Sequence, residues 1–112
     1  MTRPRVELLF WDGCPSHPQA LDDLRAAMAA VGLDPGTVLV REVDTEDRAE
    51  RDRFVGSPTI RVDGADIDPP PDGEPAGLTC RVYRLRDGRI SPTPDPATVR
   101  EALENALNRS TP

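Results

Sequence analysis

Apolar positions along the chain fall into short blocks separated by turn residues. Arg5 to Trp11 (RVELLFW) is nearly continuous in apolar, strand-forming residues, the pattern of a central strand covered on both faces. Asp12-Gly13 then marks a turn. From about Pro15 to Val31, Leu21, Leu24, Met28 and Val31 recur at steps of three and four, which predicts a helix with one apolar stripe. Pro15 suits its first turn and Gly32 its C-terminal cap. After a turn over 33–37, Val38 to Val43 (VLVREV) reads as a second strand. Asp44 to Arg53 is charged and helix-compatible, with Thr45 as a candidate N-cap and acidic residues in the first turn. Pro58 to Val62 (PTIRV) is a third strand, ended by Asp63-Gly64.

Ala65 to Thr79 holds four prolines and two glycines and reads as an irregular insertion. Loops of this length are usually functional or mobile. Cys80 to Leu85 (CRVYRL) is predicted as the fourth strand, with Asp87-Gly88 as a hairpin turn after it. Asp95 and Pro96 open a last helix over about Ala97 to Asn108, with Val99, Leu103 and Ala106 on one face. Residues 109–112 read as a frayed tail. The order is strand, helix, strand, helix, strand, strand, helix. A helical crossover makes the first two strands parallel. The expectation is a single α/β domain over 1–112, a four-stranded mixed sheet with helices on both faces.

Composition narrows the function. At 112 residues, 37% of them hydrophobic, the chain can build one modest core. No apolar run reaches the roughly 20 residues of a membrane span, so no membrane partner is expected. Acidic residues outnumber basic ones 20 to 14, a net charge of -6, which opposes nucleic-acid binding. All 14 basic residues are Arg. Without Lys there is neither Schiff-base chemistry nor a Walker-type phosphate loop. The opening segment MTRPRVELLFWDG reaches Asp12 after a short apolar stretch, so no secretory signal is expected and the compartment is read as the cytoplasm. In that reducing setting, Cys14 and Cys80 are either inert core residues or chemically used.

Cys14 is the most informative residue. It follows a strand and a glycine turn and precedes a helix. The unpaired N–H groups and the dipole of that helix favour a thiolate, the nucleophile of disulfide exchange and a soft-metal ligand. His17, the single histidine, stands in the first helical turn as a candidate thiolate partner, although a helix N-terminus disfavours imidazolium. Asp12 suits the turn better than a proton relay.

The strings GCPSHP and GSPTI, 44 residues apart from Cys14 to Pro58, resemble the thioredoxin-like superfamily, in which a Cys-Pro-x-x segment opens the first helix and a cis-proline opens the third core strand. Within it, the chain resembles small bacterial thioredoxin-like proteins with GCP, GSPT and GLxCR segments; here the last is Gly77-Leu78-Thr79-Cys80-Arg81. The resemblance implies a thioredoxin-like fold, a cis Ser57–Pro58 bond and a substrate-binding role for Ser57 and Pro58. Cys14 would carry the catalysis, with Cys80 and His17 as further candidates. It departs from the pattern in having His17 where redox members often carry a second Cys, so exchange needs a small partner thiol, a protein disulfide partner, or Cys80.

A fourth strand running back from the far end of the third would set Cys80 roughly 16 Å from the reactive end, whereas a disulfide needs Cα atoms within about 7 Å. Direct pairing is therefore difficult unless the loop over 65–79 re-routes the strand, and monothiol chemistry at Cys14 is the leading expectation. No cofactor or resident metal is expected. Two alternatives stand beside it. Cys14 and Cys80 suit a two-coordinate soft ion or, with Asp12, organomercurial handling. The chain is otherwise a binding module that kept the fold without catalysis.

Overall fold

The computed structural model describes residues 3–110. Strand β1 (Val6–Phe10) lies at the centre of a four-stranded mixed sheet. It pairs in parallel with β2 (Leu39–Glu42), Glu7 facing Leu39 and Phe10 facing Glu42. On its other side it is antiparallel to β3 (Thr59–Val62), Val6 facing Val62 and Leu9 facing Thr59. β4 (Ala65–Asp66) completes the order β2-β1-β3-β4.

The pleat of β1 divides the core, because successive side chains point to opposite faces. Val6 and Leu8 pack with Leu24 and Met28 of α1 (His17–Ala30) and with Val99 and Leu103 of α3 (Pro96–Ser110). Leu9 faces the other way, toward Val43, Ala49 and Phe54 around α2 (Glu46–Asp52). Helices therefore cover both faces, as the apolar run of β1 requires. Leu8 and Leu9 are fully covered, each burial stabilising by about 1.5–3 kcal/mol. Glu7 is the polar exception in β1; its buried carboxylate is held by Arg41 at 2.9 Å, which also reaches Asp52 at 3.1 Å.

Helix ends follow local chemistry. Gly32, at φ 85°, lets Leu33 and Gly32 donate to the carbonyls of Met28 and Ala29, closing α1. Thr45 caps α2 by accepting from Arg48 N–H at 3.1 Å. Asp95 accepts from Ala97 N–H at 2.8 Å at the start of α3. Among the described residues no helix is long and apolar enough to cross a membrane.

The structure corrects four boundaries. α1 starts at His17 rather than Pro15, with Pro18 in its first turn. α3 runs on through Arg109 and Ser110; the rest of the expected tail, 111–112, lies outside the described residues. The segment over 65–79 is not wholly irregular, since Ala65–Asp66 is the fourth strand of the sheet. The reason is the Asp63-Gly64 pair: both residues have positive φ, 52° and 83°, the geometry of a two-residue hairpin turn whose twist suits the flanking strands.

Finally, Cys80–Leu85 is not the fourth strand of that sheet. Tyr83–Arg84 (β5) pairs with Ile90–Ser91 (β6) across the Asp87-Gly88 turn as a separate ribbon. Before β5, the chain returns alongside the segment that leads into β3 and runs parallel to it. Gly77 N–H donates to Phe54 carbonyl at 3.0 Å, Ser57 N–H to Thr79 carbonyl at 2.8 Å, and Arg81 N–H to Ser57 carbonyl at 2.8 Å. A parallel return needs a connection of a dozen or more residues, and the proline-rich stretch supplies it.

Candidate functional site

Cys14 leaves β1 through a tight turn, its N–H donating to the Trp11 carbonyl at 3.0 Å. Gly13 is required there: a Cβ would lie 2.4 Å from the Trp11 ring. Asp12 is exposed in this turn. The side chain of Cys14 is fully covered. Its sulfur lies 3.2 Å from Ser16 Oγ and, as a thiol, donates to the Ser57 carbonyl at 3.5 Å. Ser16 is the N-cap residue of α1, yet its hydroxyl turns to the sulfur and makes no capping bond to the helix. Sequence reading passed over Ser16; the available signal was a hydroxyl residue two places after the Cys, at the mouth of the helix.

His17 stands beside Cys14 without engaging its sulfur. Its Nδ1 lies 3.0 Å from the Cys14 carbonyl oxygen, and its ring stacks on Phe10 with centroids 4.3 Å apart. The Ser57–Pro58 peptide is cis. Both backbone polar groups of Ser57 are taken by Thr79 and Arg81, so they do not present themselves to an outside peptide. Ser57 Oγ is buried and has no hydrogen-bond partner among the described residues. It stands close enough to the Cys14 sulfur to favour its charged form.

Cys80 does not sit at the far end of the sheet. It faces Ser57 directly across a parallel bridge, and the Ser57 carbonyl lies 3.5 Å from the Cys14 sulfur, so the exposed Cys80 thiol is a neighbour that shifts the ionisation of Cys14. The geometric obstacle to pairing assumed a strand running back from the end of β3; the parallel return removes it. The two thiols ionise unequally. Burial pushes the Cys14 thiol up, but the neighbouring Cys80 thiol, Ser16 and the nearby Ser57 hydroxyl outweigh it and hold Cys14 below the ordinary thiol value. Cys80 is pushed up, first by its interaction with the neighbouring Cys14 sulfur, then by burial and by the charge of the Cys14 thiolate.

Arg81 fastens the returning segment. Its buried guanidinium donates to Asp66 at 2.7 Å, to Thr59 Oγ1 at 3.2 Å and to the Asp68 carbonyl, and lies 4.6 Å from the centre of the Tyr83 ring. Tyr83 in turn donates its hydroxyl to the Pro58 carbonyl, and burial drives its phenol far above the ordinary value. Gly56 makes the close approach possible. At φ 148°, a Cβ there would lie 3.0 Å from Arg81 Cβ and 3.2 Å from its backbone.

Beside Cys80 opens a cleft of about 420 Å³, walled by Val55, Pro70, Thr79, Val82 and Arg84. Among the described residues no group of three or more His, Cys, Asp or Glu side chains is placed to hold a metal ion. No family model, curated protein or solved structure matches this chain.

Proposed function

We propose that this chain is a cytoplasmic thiol–disulfide exchange protein of thioredoxin-like architecture that works through Cys14 and Cys80 together. The observation that carries the reading is a pair of unlike cysteines, one covered and the other exposed, brought to the same Ser57–Pro58 segment: the Cys14 sulfur lies 3.5 Å from the Ser57 carbonyl and Cys80 faces Ser57 across the bridge. The thioredoxin-like part is supported by GCPSHP at the mouth of α1, GSPTI at the start of β3, and a mixed sheet with helices on both faces. The second thiol comes from the returning segment instead of from the Cys-Pro-x-x motif. An external monothiol is then not needed to complete exchange.

Partners are a small disulfide or a protein disulfide. One protein sulfur attacks it, forming a mixed disulfide and releasing the first partner thiol. The other protein sulfur then attacks the mixed disulfide, closing Cys14–Cys80 and releasing the second. The partner gains two electrons and the protein loses them. The test is reaction of the reduced protein with glutathione disulfide. Two equivalents of glutathione should be released per chain with none retained on the protein, and a Cys14→Ser variant should release only one and keep the other as a mixed disulfide. A folded wild-type protein that releases no glutathione from the disulfide would make this chain a binding module.

The same two sulfurs support a second reading, capture of a two-coordinate soft cation. Equal uptake of Hg(II) by the wild type and by a Cys14→Ser, Cys80→Ser double variant ends it.

A further inference from the structure

We propose that partners enter this site through Cys80: the mixed disulfide forms on Cys80 Sγ, in the cleft beside it, and Cys14 is the internal sulfur that leaves or closes. This rests on the exchange reading above. Exchange requires the incoming sulfur to reach the sulfur it attacks. Cys14 is fully covered, whereas Cys80 is exposed and lines the cleft.

The backbone points the same way. An outside strand has no room beside Ser57, because the chain's own Thr79 and Arg81 already hold its N–H and carbonyl. The returning segment thus fills the place of a partner strand, and Cys80 presents the sulfur such a strand would carry. In a parallel ladder the residue opposite turns its own N–H and carbonyl outward. Those of Cys80 therefore face away from Ser57. Val82, 65% exposed, continues the accessible side of the segment.

From the oxidised protein the chemistry balances as follows. A partner thiolate attacks Cys80 Sγ; the new partner–Cys80 S–S bond forms as the Cys80–Cys14 bond breaks, and the electron pair leaves on Cys14 Sγ. A second partner thiolate attacks the partner's sulfur and releases Cys80, which takes up a proton. Two partner thiols become one disulfide, and the protein disulfide becomes a dithiol. Ser16 and Ser57, grouped around Cys14, stabilise the departing thiolate, and a sulfur held below the ordinary thiol pKa leaves faster. A partner disulfide reoxidises the protein by the reverse steps.

The experiment uses the oxidised full chain and glutathione, quenched with N-ethylmaleimide at increasing times and digested with trypsin. Cleavage after Arg5, Arg25, Arg61 and Arg81 puts the two cysteines on separate peptides, 6–25 and 62–81. Glutathione should be found on 62–81 in at least about tenfold excess, with N-ethylmaleimide on 6–25. Glutathione on 6–25 in equal or greater amount overturns the entry through Cys80 alone. Absence of a 6–25/62–81 link in the oxidised starting protein overturns the exchange reading and this inference with it.

Discussion

Ser57 and Cys80 face each other across a parallel bridge, closed by hydrogen bonds of 2.8 Å on either side of Cys80. That one register brings the Cys80 thiol to Cys14 although the two cysteines are distant in the chain. Cys14 itself is covered and Cys80 exposed, so one sulfur of the pair is hidden and the other open.

The two thiols should titrate on either side of the ordinary thiol value, as a coupled pair. Cys80→Ala removes the strongest of the influences that lower Cys14 and leaves its burial, so the Cys14 pKa should rise. Cys80→Ser keeps a hydroxyl donor and should fall between. Thiolate absorbance against pH measures this; an unmoved Cys14 in the Ala variant contradicts an interaction between the two sulfurs.

These shifts have opposite effects on stability. The lowered pKa of Cys14 adds stability that is fully present above the ordinary thiol pKa and is lost as pH falls through its folded value. The raised pKa of Cys80 adds stability that is present below the ordinary value and is lost as pH rises through its folded one. Their combined contribution in the reduced protein should peak near the ordinary thiol pKa. Denaturant unfolding across pH checks it: the peak should disappear in the double Ser variant.

His17→Phe preserves a ring for stacking on Phe10 and removes the contact to the Cys14 carbonyl. The Cys14 titration should not move. A clear shift would restore His17 as a partner of the thiolate.

Gly56→Ala should destabilise the protein by more than about 1 kcal/mol, since the position has positive φ and no space toward Arg81. Because the strain falls between the Gly56–Ser57 and Cys80–Arg81 segments, the rate of Cys14–Cys80 closure should fall as well. Denaturant unfolding and oxidation kinetics report the two effects separately.

Arg81→Met leaves Asp66 without its cation and frees the segment that carries Cys80. Breaking a buried ion pair from one side costs about 3–5 kcal/mol, and a loss of that order is expected in denaturant unfolding. Arg81→Lys keeps the charge without the fork that reaches Asp66, Thr59 and Asp68 together, and should recover only part of it.

Much of the fold was legible because it rests on local chemistry. The apolar run of β1, the Thr45 cap, the Gly32 C-terminus and the Asp87-Gly88 hairpin each carry their signal within a few residues. Cys14 at the mouth of α1 was legible for the same reason. The position of Cys80 was not, because it depends on which neighbour the chain chooses after a proline-rich crossover, a non-local pairing that no periodicity records. Asp63-Gly64 was the missed clue: read as a hairpin turn, it assigns the fourth strand to Ala65–Asp66 and frees Cys80–Arg81 to return alongside Ser57.

The most direct test of the two-thiol site is a tryptic map of the full chain after mild oxidation under dilute conditions. The account predicts one dominant product, peptides 6–25 and 62–81 joined by a disulfide within a single chain. Separate adducts on each cysteine, or chains linked to one another, would contradict it.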